Sequence, residues 1–346
     1  MKKLCICIPT FNRANRLRKT LRDLFKEISA SGKKELISVY LSDNGSVDNT
    51  AAVLKEFQEI FRLNEIALSY DSWGENLGFD INVMRCYEKC DADYLWLLSD
   101  DDNVIHGAMV VILNDIDSIK PNVIYYNFGQ YPYGFNDPWV KEKALYSTVD
   151  TTEAIGKIVH WPKLSAIVIK KIDGTSGIKV TQMKSIGNSG FAHVALALQS
   201  AFDHGKLLLS KDFIAQPDGD SMDHIDYPPY IFNSLINVVY ELCNANQKRQ
   251  FYPMLCRQYV SPLNSSLSWL TSFYFGKRTL TLSLKNTLVR TVKHELRHGA
   301  FIKSHRLGFI KASLFFFTAY IFYLWRIVLT GKRYVKIRDE NQFKNN

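Results

Sequence analysis

Several signatures that would classify this chain quickly are missing from it. No CxxC pair occurs, and the six cysteines (Cys5, Cys7, Cys86, Cys90, Cys243 and Cys256) follow no framework spacing. That argues against a disulfide scaffold and predicts reduced thiols in a cytosolic protein. Cys86 and Cys90 would share a helix face, but with no paired histidine nearby they read as ordinary buried thiols rather than zinc ligands. The opening MKKLCICIPTFNR is charged, yet its apolar run is shorter than the roughly 7–15 residues of an export signal, so a cytoplasmic protein is the expectation. Glycine is absent from PTFNRANR, the turn after that run. A nucleotidyltransferase usually carries a Gly-rich loop there, which places that class second among the readings. Internal repeats and low-complexity tracts are also absent.

Acidic residues are scarce in one region only. Residues 1–275 hold 28 Lys/Arg against 31 Asp/Glu, whereas 276–346 hold 15 against 3, so the formal charge of +9 belongs to the tail. Between 276 and 338 there are 14 Lys/Arg and one acid, Glu295, around the apolar run ASLFFFTAYIFYLW (312–325). That run is shorter than the roughly 20 residues needed to span a bilayer. Extending it to 307–330 would place Lys311 and Arg326 inside the hydrocarbon. A helix lying on an anionic membrane surface fits best, ahead of a buried core helix or a true span. The uninterrupted aromatic–aliphatic block argues against nucleic acid as the partner.

What is present supports a packed core: 47% of residues are hydrophobic and 13% aromatic, far from a disordered composition. The length suits one large domain with an appendage, or two modest domains. LCICIP (4–9) reads as a buried strand, RANRLRKTLRDLFKEIS as a helix, and LISVYLSD (36–43) as a second strand. SVDNTAAVLKEFQEIF follows as a helix with Ser46 or Asp48 placed to cap it, then EIALSYD (65–71) as a strand and GFDINVMRCYEKC as a helix. DYLWLLS (93–99) makes a fourth strand, and AMVVILNDIDSI and NVIYYNF add a helix and a strand. KLSAIVIKK (163–171) and KLLLS are strand candidates, FAHVALALQSAF (191–202) is a helix ending near Gly205, and the chain beyond 228 reads as mainly helical. This alternation predicts an α/β protein with a mostly parallel sheet and helices on both faces. Ligands collect at the carboxyl ends of such strands. Thr10, Asn12 and Arg13, then Asp43 and Asn44, then Asn76, then Asp100, Asp101 and Asp102 would all fall on that edge.

Three adjacent carboxylates where a buried strand ends call for positive charge, and hard oxygen ligands suit Mg²⁺ or Mn²⁺ bridging to a diphosphate. The alternatives are acid–base work and a solvated turn. CICIPTFNRANRLRKTL, LSDNGSVDNT, NLGF before a helix, and YLWLLSDDDNV occur in an order and spacing that resembles glycosyltransferase family 2. The resemblance covers about residues 3–130, with a weaker echo to about 210. It implies a GT-A fold, with a mixed and mostly parallel sheet, and sugar transfer from a nucleotide donor aided by a DxD-bound metal. Pro9, Thr10, Asn12 and Arg13 would then line the base and ribose pocket, Asp43 would accept a hydrogen bond from the base, and Asn76 and Gly78 would flank the nucleotide. Two departures stand out: Asn44 replaces the second acid of the usual DDGS, and Ser99 replaces the first acid of LDxDD if the motif is aligned that way. The metal ligand is then Asp101, whereas the plain DxD reading gives Asp100 to the ribose and Asp102 to the metal.

The family often supplies a catalytic base as an ED pair, and no ED occurs in this chain. His193 stands at about the matching place, at the start of the helix ending near Gly205, and is either the base for an inverting transfer or a packing residue. His224 in DGDSMDHIDYPP reads mainly as part of a solvated loop, and His160 and His204 as structural. Tyr131, Tyr133 and Trp139 suit either sugar stacking or loop anchoring. LCICIPTFNRA and LSDNGS look most like enzymes that decorate lipid-linked oligosaccharides, including O-antigen abequosyltransferases, so a polyprenyl-diphosphate-linked glycan acceptor is implied. The expected organisation is a catalytic domain over 1–215, a helical extension on the acceptor side over 216–275, and the basic membrane-associating tail over 276–346. A non-catalytic sugar-nucleotide-binding scaffold on the membrane is the remaining alternative.

Overall fold

The structure, a computed structural model, describes residues 2–128, 142–146, 163–171, 189–218 and 238. Tyr131, Tyr133, Trp139, His160, His224, Cys243, Cys256, the side chain of His204 and the tail 276–346 lie outside the described residues. The chain divides into two compact units, Met1–Ile225 and Asp226–Asn346. Apart from Val238, the described residues belong to the first.

That unit opens with three strand–helix repeats. β1 (Leu4–Thr10) leads to α1 (Ala14–Ala30), β2 (Ile37–Asp43) to α2 (Thr50–Leu63), β3 (Ala67–Ser72) to α3 (Phe79–Lys89), and β4 (Tyr94–Leu97) follows. The first two strands are buried along their whole length, as expected of strands covered on both faces. β3-β2-β1-β4 pair in parallel, with Leu4 opposite both Ile37 and Tyr94. Beyond β4 the sheet becomes mixed. β5 (Asp102–Val104), α4 (Ala108–Ile119), β6 (Val123–Phe128), β7 (Ala144–Tyr146), β8 (Ile167–Lys170), α5 (Ala192–His204) and β9 (Leu207–Pro217) complete the described elements. The strand order is β3-β2-β1-β4-β8-β6-β9-β5, with β7 also on β9. β8 runs antiparallel to both β4 and β6, and β5 runs antiparallel to β9.

Side-chain alternation divides the core between the two faces. Leu4, Ile6 and Ile8 of β1 join Ile37, Val39 and Leu41 of β2 in one cluster with Leu17, Leu21, Leu24 and Ile28 of α1, Phe57 and Phe61 of α2, and Ile112 and Ile116 of α4. The intervening residues Cys5 and Cys7 face α3, where the Cys7 thiol reaches the carbonyl of Cys86 at 3.5 Å. Cys5, Cys7, Cys86 and Cys90 are buried free thiols. The capping at α2 differs from the sequence expectation. Asn49 is the N-cap, and Asp48 accepts bonds from the Thr50 amide (3.0 Å) and from the Ala14 amide (3.1 Å), so one carboxylate serves the first turns of two helices. Two strands are longer or shorter than their apolar runs suggest: β9 continues through Lys211 and Asp212 to Pro217, and β4 ends at Leu97.

Candidate active site

The ends of β1, β2, β3 and β4 meet at one edge. Thr10 is in register with Asp43, and Asp43 with Ser72, while the Leu98 amide bonds to the Cys7 carbonyl at 3.0 Å. The loops leaving these strands are laced to one another. Asn12, in the left-handed region at φ 52°, donates its amide to Ser46 Oγ (2.8 Å) and accepts the Val47 amide on its side-chain oxygen (2.8 Å). Asp43 is buried and accepts the Ser46 amide at 3.0 Å. The Asn44 carboxamide donates to Asn76 Oδ1 (2.7 Å) and to the Gly78 carbonyl (3.2 Å), and accepts the Leu77 amide (3.2 Å). Asn44 therefore staples the β3–α3 loop to β2, work that needs a donor and an acceptor on one side chain and that a carboxylate cannot do. Gly45 has φ 80°, and a Cβ there would lie 2.8 Å from the backbone carbon of Glu75, so only glycine fits. Pro9 is buried in β1, and Gly78 precedes α3 with φ 91°.

The aspartates after β4 are already engaged. Asp100 accepts Thr10 Oγ1 (2.7 Å) and Arg13 Nη1 (2.9 Å). Asp101 accepts Arg13 Nη1 (2.7 Å) and Arg16 Nη1 (3.2 Å) on one oxygen and Ser99 Oγ (2.6 Å) on the other. Among the described residues Asp102 accepts only Ser165 Oγ (2.5 Å), and that hydroxyl in turn accepts the Ser99 amide (2.9 Å). Thr20 Oγ1 bonds to the carbonyls of Asp100 (3.0 Å) and Asp102 (3.3 Å), pinning the turn from inside α1. Burial pushes the Asp100 carboxyl up to about 6 against the pull of Arg13, and burial together with Asp101 pushes Asp102 up to about 7. The same pairing raises the Arg13 guanidinium above its ordinary range, Asp100 being the main cause.

Among the described residues no group of three or more carboxylate, imidazole or thiol side chains is arranged to hold a metal ion. Two guanidiniums and three hydroxyls occupy five carboxylate oxygens of the turn, leaving one oxygen of Asp102. The chemistry of the donors nevertheless fits a hard divalent cation, since carboxylate oxygens converge on one turn. Asp102 is buried and makes no ion pair among the described residues, with Lys163 acting on it only through space.

Residues 5–176 match the family model for Glycosyl transferase family 2. They form a glycosyltransferase family 2 domain. The chain is 29% identical over 117 residues to an abequosyltransferase of Salmonella typhimurium, a stretch that spans about a third of either protein (33% of each). Its fold is similar to S. aureus TarS in complex with UDP-GlcNAc, at TM-score 0.55 and 14% identity over 77% of each chain. It is also similar to a mannosyltransferase of Pyrobaculum calidifontis in complex with GDP-Man and Mn²⁺, at TM-score 0.52 and 11% identity over 90% of this chain and 86% of that one. The sheet and helices are those of GT-A glycosyltransferases.

His193 lies in the first turn of α5, buried, with its ring 6.1 Å from that of Phe79 in an edge-on arrangement and 5.7 Å from Phe191. The loop ahead of it is held by Asp80 of α3, which accepts Ser189 Oγ (3.0 Å) and the amides of Gly190 (2.9 Å) and Ala192 (3.0 Å). α5 has no capping side chain of its own, so Asp80 caps it from another helix. Thr10, Arg13, Asp100 and Asp101 thus form one hydrogen-bonded cluster and Asn44, Asn76 and Gly78 a second, with His193 joined to the second through α3. Sequence reasoning missed Arg16, Thr20, Asp80 and Ser165. Thr20 carried a signal, a polar residue on the buried stripe Leu17–Leu21–Leu24. Asp80 carried another, a lone acid at a helix start. Ser165 carried none.

Proposed function

We propose that the chain transfers a sugar from a nucleotide-sugar donor to a glycan acceptor, with Mg²⁺ or Mn²⁺ at the aspartate turn. The observation that carries this is the turn itself: buried carboxylates at the point where four strand ends and their laced loops meet, in a glycosyltransferase family 2 domain. Similar folds carry UDP-GlcNAc in one case and GDP-Man with Mn²⁺ in another, which supports a nucleotide diphosphate as the ligand class. Asp102 is the first ligand, because among the described residues it alone of the three makes no ion pair, with Asp101 or Asp100 completing the set. When bound, the cation neutralises charge on the departing diphosphate.

The chain's own residues do the rest. Thr10 and Arg13 fix Asp100, which faces the ribose, and the Asn12–Ser46 and Asn44–Asn76 bonds hold the loops around the base with Asp43 at the floor. His193 takes the proton of the acceptor hydroxyl during a single inverting displacement, its ring oriented by Phe79 and Phe191. The acceptor is a lipid-linked oligosaccharide of the surface-polysaccharide type, a reading supported by the stretch shared with the abequosyltransferase. Residues 1–215 then serve as the donor domain, 216–275 as the acceptor side, and 276–346 as the contact with the cytoplasmic membrane face.

The test is thermal stabilisation by UDP, GDP, CDP and dTDP with and without Mn²⁺. One of them is expected to raise Tm by several degrees only when Mn²⁺ is present. No response to any of the four sinks the reading. His193→Ala is expected to keep that stabilisation while transfer falls at least about 100-fold; near-normal turnover would remove His193 from the mechanism. For the tail, the full chain is expected to float with vesicles containing anionic lipid at low salt, and a chain ending at residue 275 to stay behind. Equal behaviour of the two chains would end the membrane assignment.

A further inference from the structure

Arg13 and Arg16 stand at the start of α1, each with more than two fifths of its side chain exposed (44% and 43%), while the carboxylates they hold are largely buried (5% for Asp100 and 13% for Asp101). Three carboxylates face two guanidiniums in the turn, and Lys163 also acts on Asp102. A divalent cation added there shifts the balance toward positive, and the diphosphate that follows it offsets that shift. The oxygens are also contested. One oxygen of Asp101 already receives both guanidiniums, and the other receives Ser99. A cation bound to the oxygen that the two guanidiniums share would displace at least one of them.

We propose that Arg16 is an exchangeable counter-charge: it holds Asp101 in the ligand-free protein and transfers to the phosphate oxygens when the donor and its cation enter, while Arg13 stays on Asp100. Guanidinium suits this exchange, because its planar fork matches a carboxylate and a phosphate alike and stays charged in both settings. The Arg16 side chain is long, flexible and partly exposed, which suits a change of partner. Arg16 thereby becomes a diphosphate-binding residue, a role that rests on the nucleotide-sugar reading above. Arg18 offers a matched control on the same helix, since its partner is Glu56 rather than the turn.

The experiment is Arg16→Gln in the full chain, with Arg18→Gln beside it. Mn²⁺ binding alone is read by electron paramagnetic resonance, and binding of UDP, GDP, CDP and dTDP with Mn²⁺ present is read by calorimetry. Arg16→Gln is expected to bind Mn²⁺ about 2- to 5-fold more tightly without nucleotide. It is also expected to bind the preferred nucleoside diphosphate about 5- to 10-fold more weakly with Mn²⁺, leaving the parent nucleoside unaffected. Arg18→Gln should match the wild type in all three. Unchanged Mn²⁺ affinity, unchanged diphosphate affinity, or equal effects from the two variants overturns the exchange while the donor reading stands. If the wild type binds none of the four diphosphates, the donor reading falls and the exchange falls with it.

Discussion

Asp102→Asn is expected to stabilise the cation-free protein at pH 8 while removing Mn²⁺-dependent nucleotide binding. Burial holds the Asp102 carboxyl at about 7, against about 3.9 in an unfolded chain. Between those values the folded protein keeps a proton that the unfolded chain has released. Wild-type stability therefore falls as pH rises from about 4 to about 7 and is level above that. At about 1.4 kcal/mol per unit, the loss by pH 8 is on the order of 2–4 kcal/mol. Asparagine has no charge to desolvate and keeps an oxygen for the Ser165 hydroxyl. Urea denaturation in chelator should show the variant more stable at pH 8, with the difference closing toward pH 4. Mn²⁺ should raise the stability of the wild type and not of the variant. A variant less stable than the wild type at pH 8 would mean that Asp102 is already compensated and is not the cation's first ligand.

The second large effect lies away from the aspartates. Asp80→Ala removes the acceptor for the Ser189 hydroxyl and for the amides of Gly190 and Ala192, all beside buried residues. Unsatisfied buried donors cost about 1–3 kcal/mol each, and water entering the cavity recovers part of that, so a loss of about 3 kcal/mol is expected. Asp80→Asn keeps one acceptor oxygen and should lose about half as much. Because the same bonds set where α5 begins, the alanine variant should also lose transfer with Asp100–Asp102 and His193 intact. Chemical denaturation of the three proteins decides it: an alanine variant within about 0.5 kcal/mol of the wild type would show that α5 starts correctly without Asp80.

The first half of the described fold was legible because its information is local. In α1, Leu17, Leu21 and Leu24 repeat at helical spacing, and the strands LCICIPT and ISVYLSD are unbroken apolar runs closed by polar residues. Alternation of such segments implies the parallel β3-β2-β1-β4 block, and that block puts the strand-end residues on one edge. The later strands were harder to see because their partners are remote. β5 is three residues long and starts on Asp102, which reads as loop until Pro217 of β9 is placed opposite it. Lys211 and Asp212 break the apolar run of β9, hiding half of an 11-residue strand.

The site shows the same division. Which residues gather was readable from strand ends, but which of them bond to each other was not. Arg13 meets Asp100 across 87 positions, and Ser165 meets Asp102 across 63. The three aspartates read as a place for a cation; that the chain supplies its own cations there emerges only from the three-dimensional arrangement. The acid missing at position 44 reads as a weakened motif in the sequence, whereas its amide is the staple between two loops.

That lacing limits how such a domain can diversify. Asn12, Asn44, Gly45 and Asn76 each serve two loops at once, so a change at any of them disturbs a neighbour before it alters a ligand contact. Val47 and Leu77 occupy the same loops with exposed side chains. Engineering of donor or acceptor preference is better aimed at these two positions, where variation leaves the scaffold of the loops unbroken.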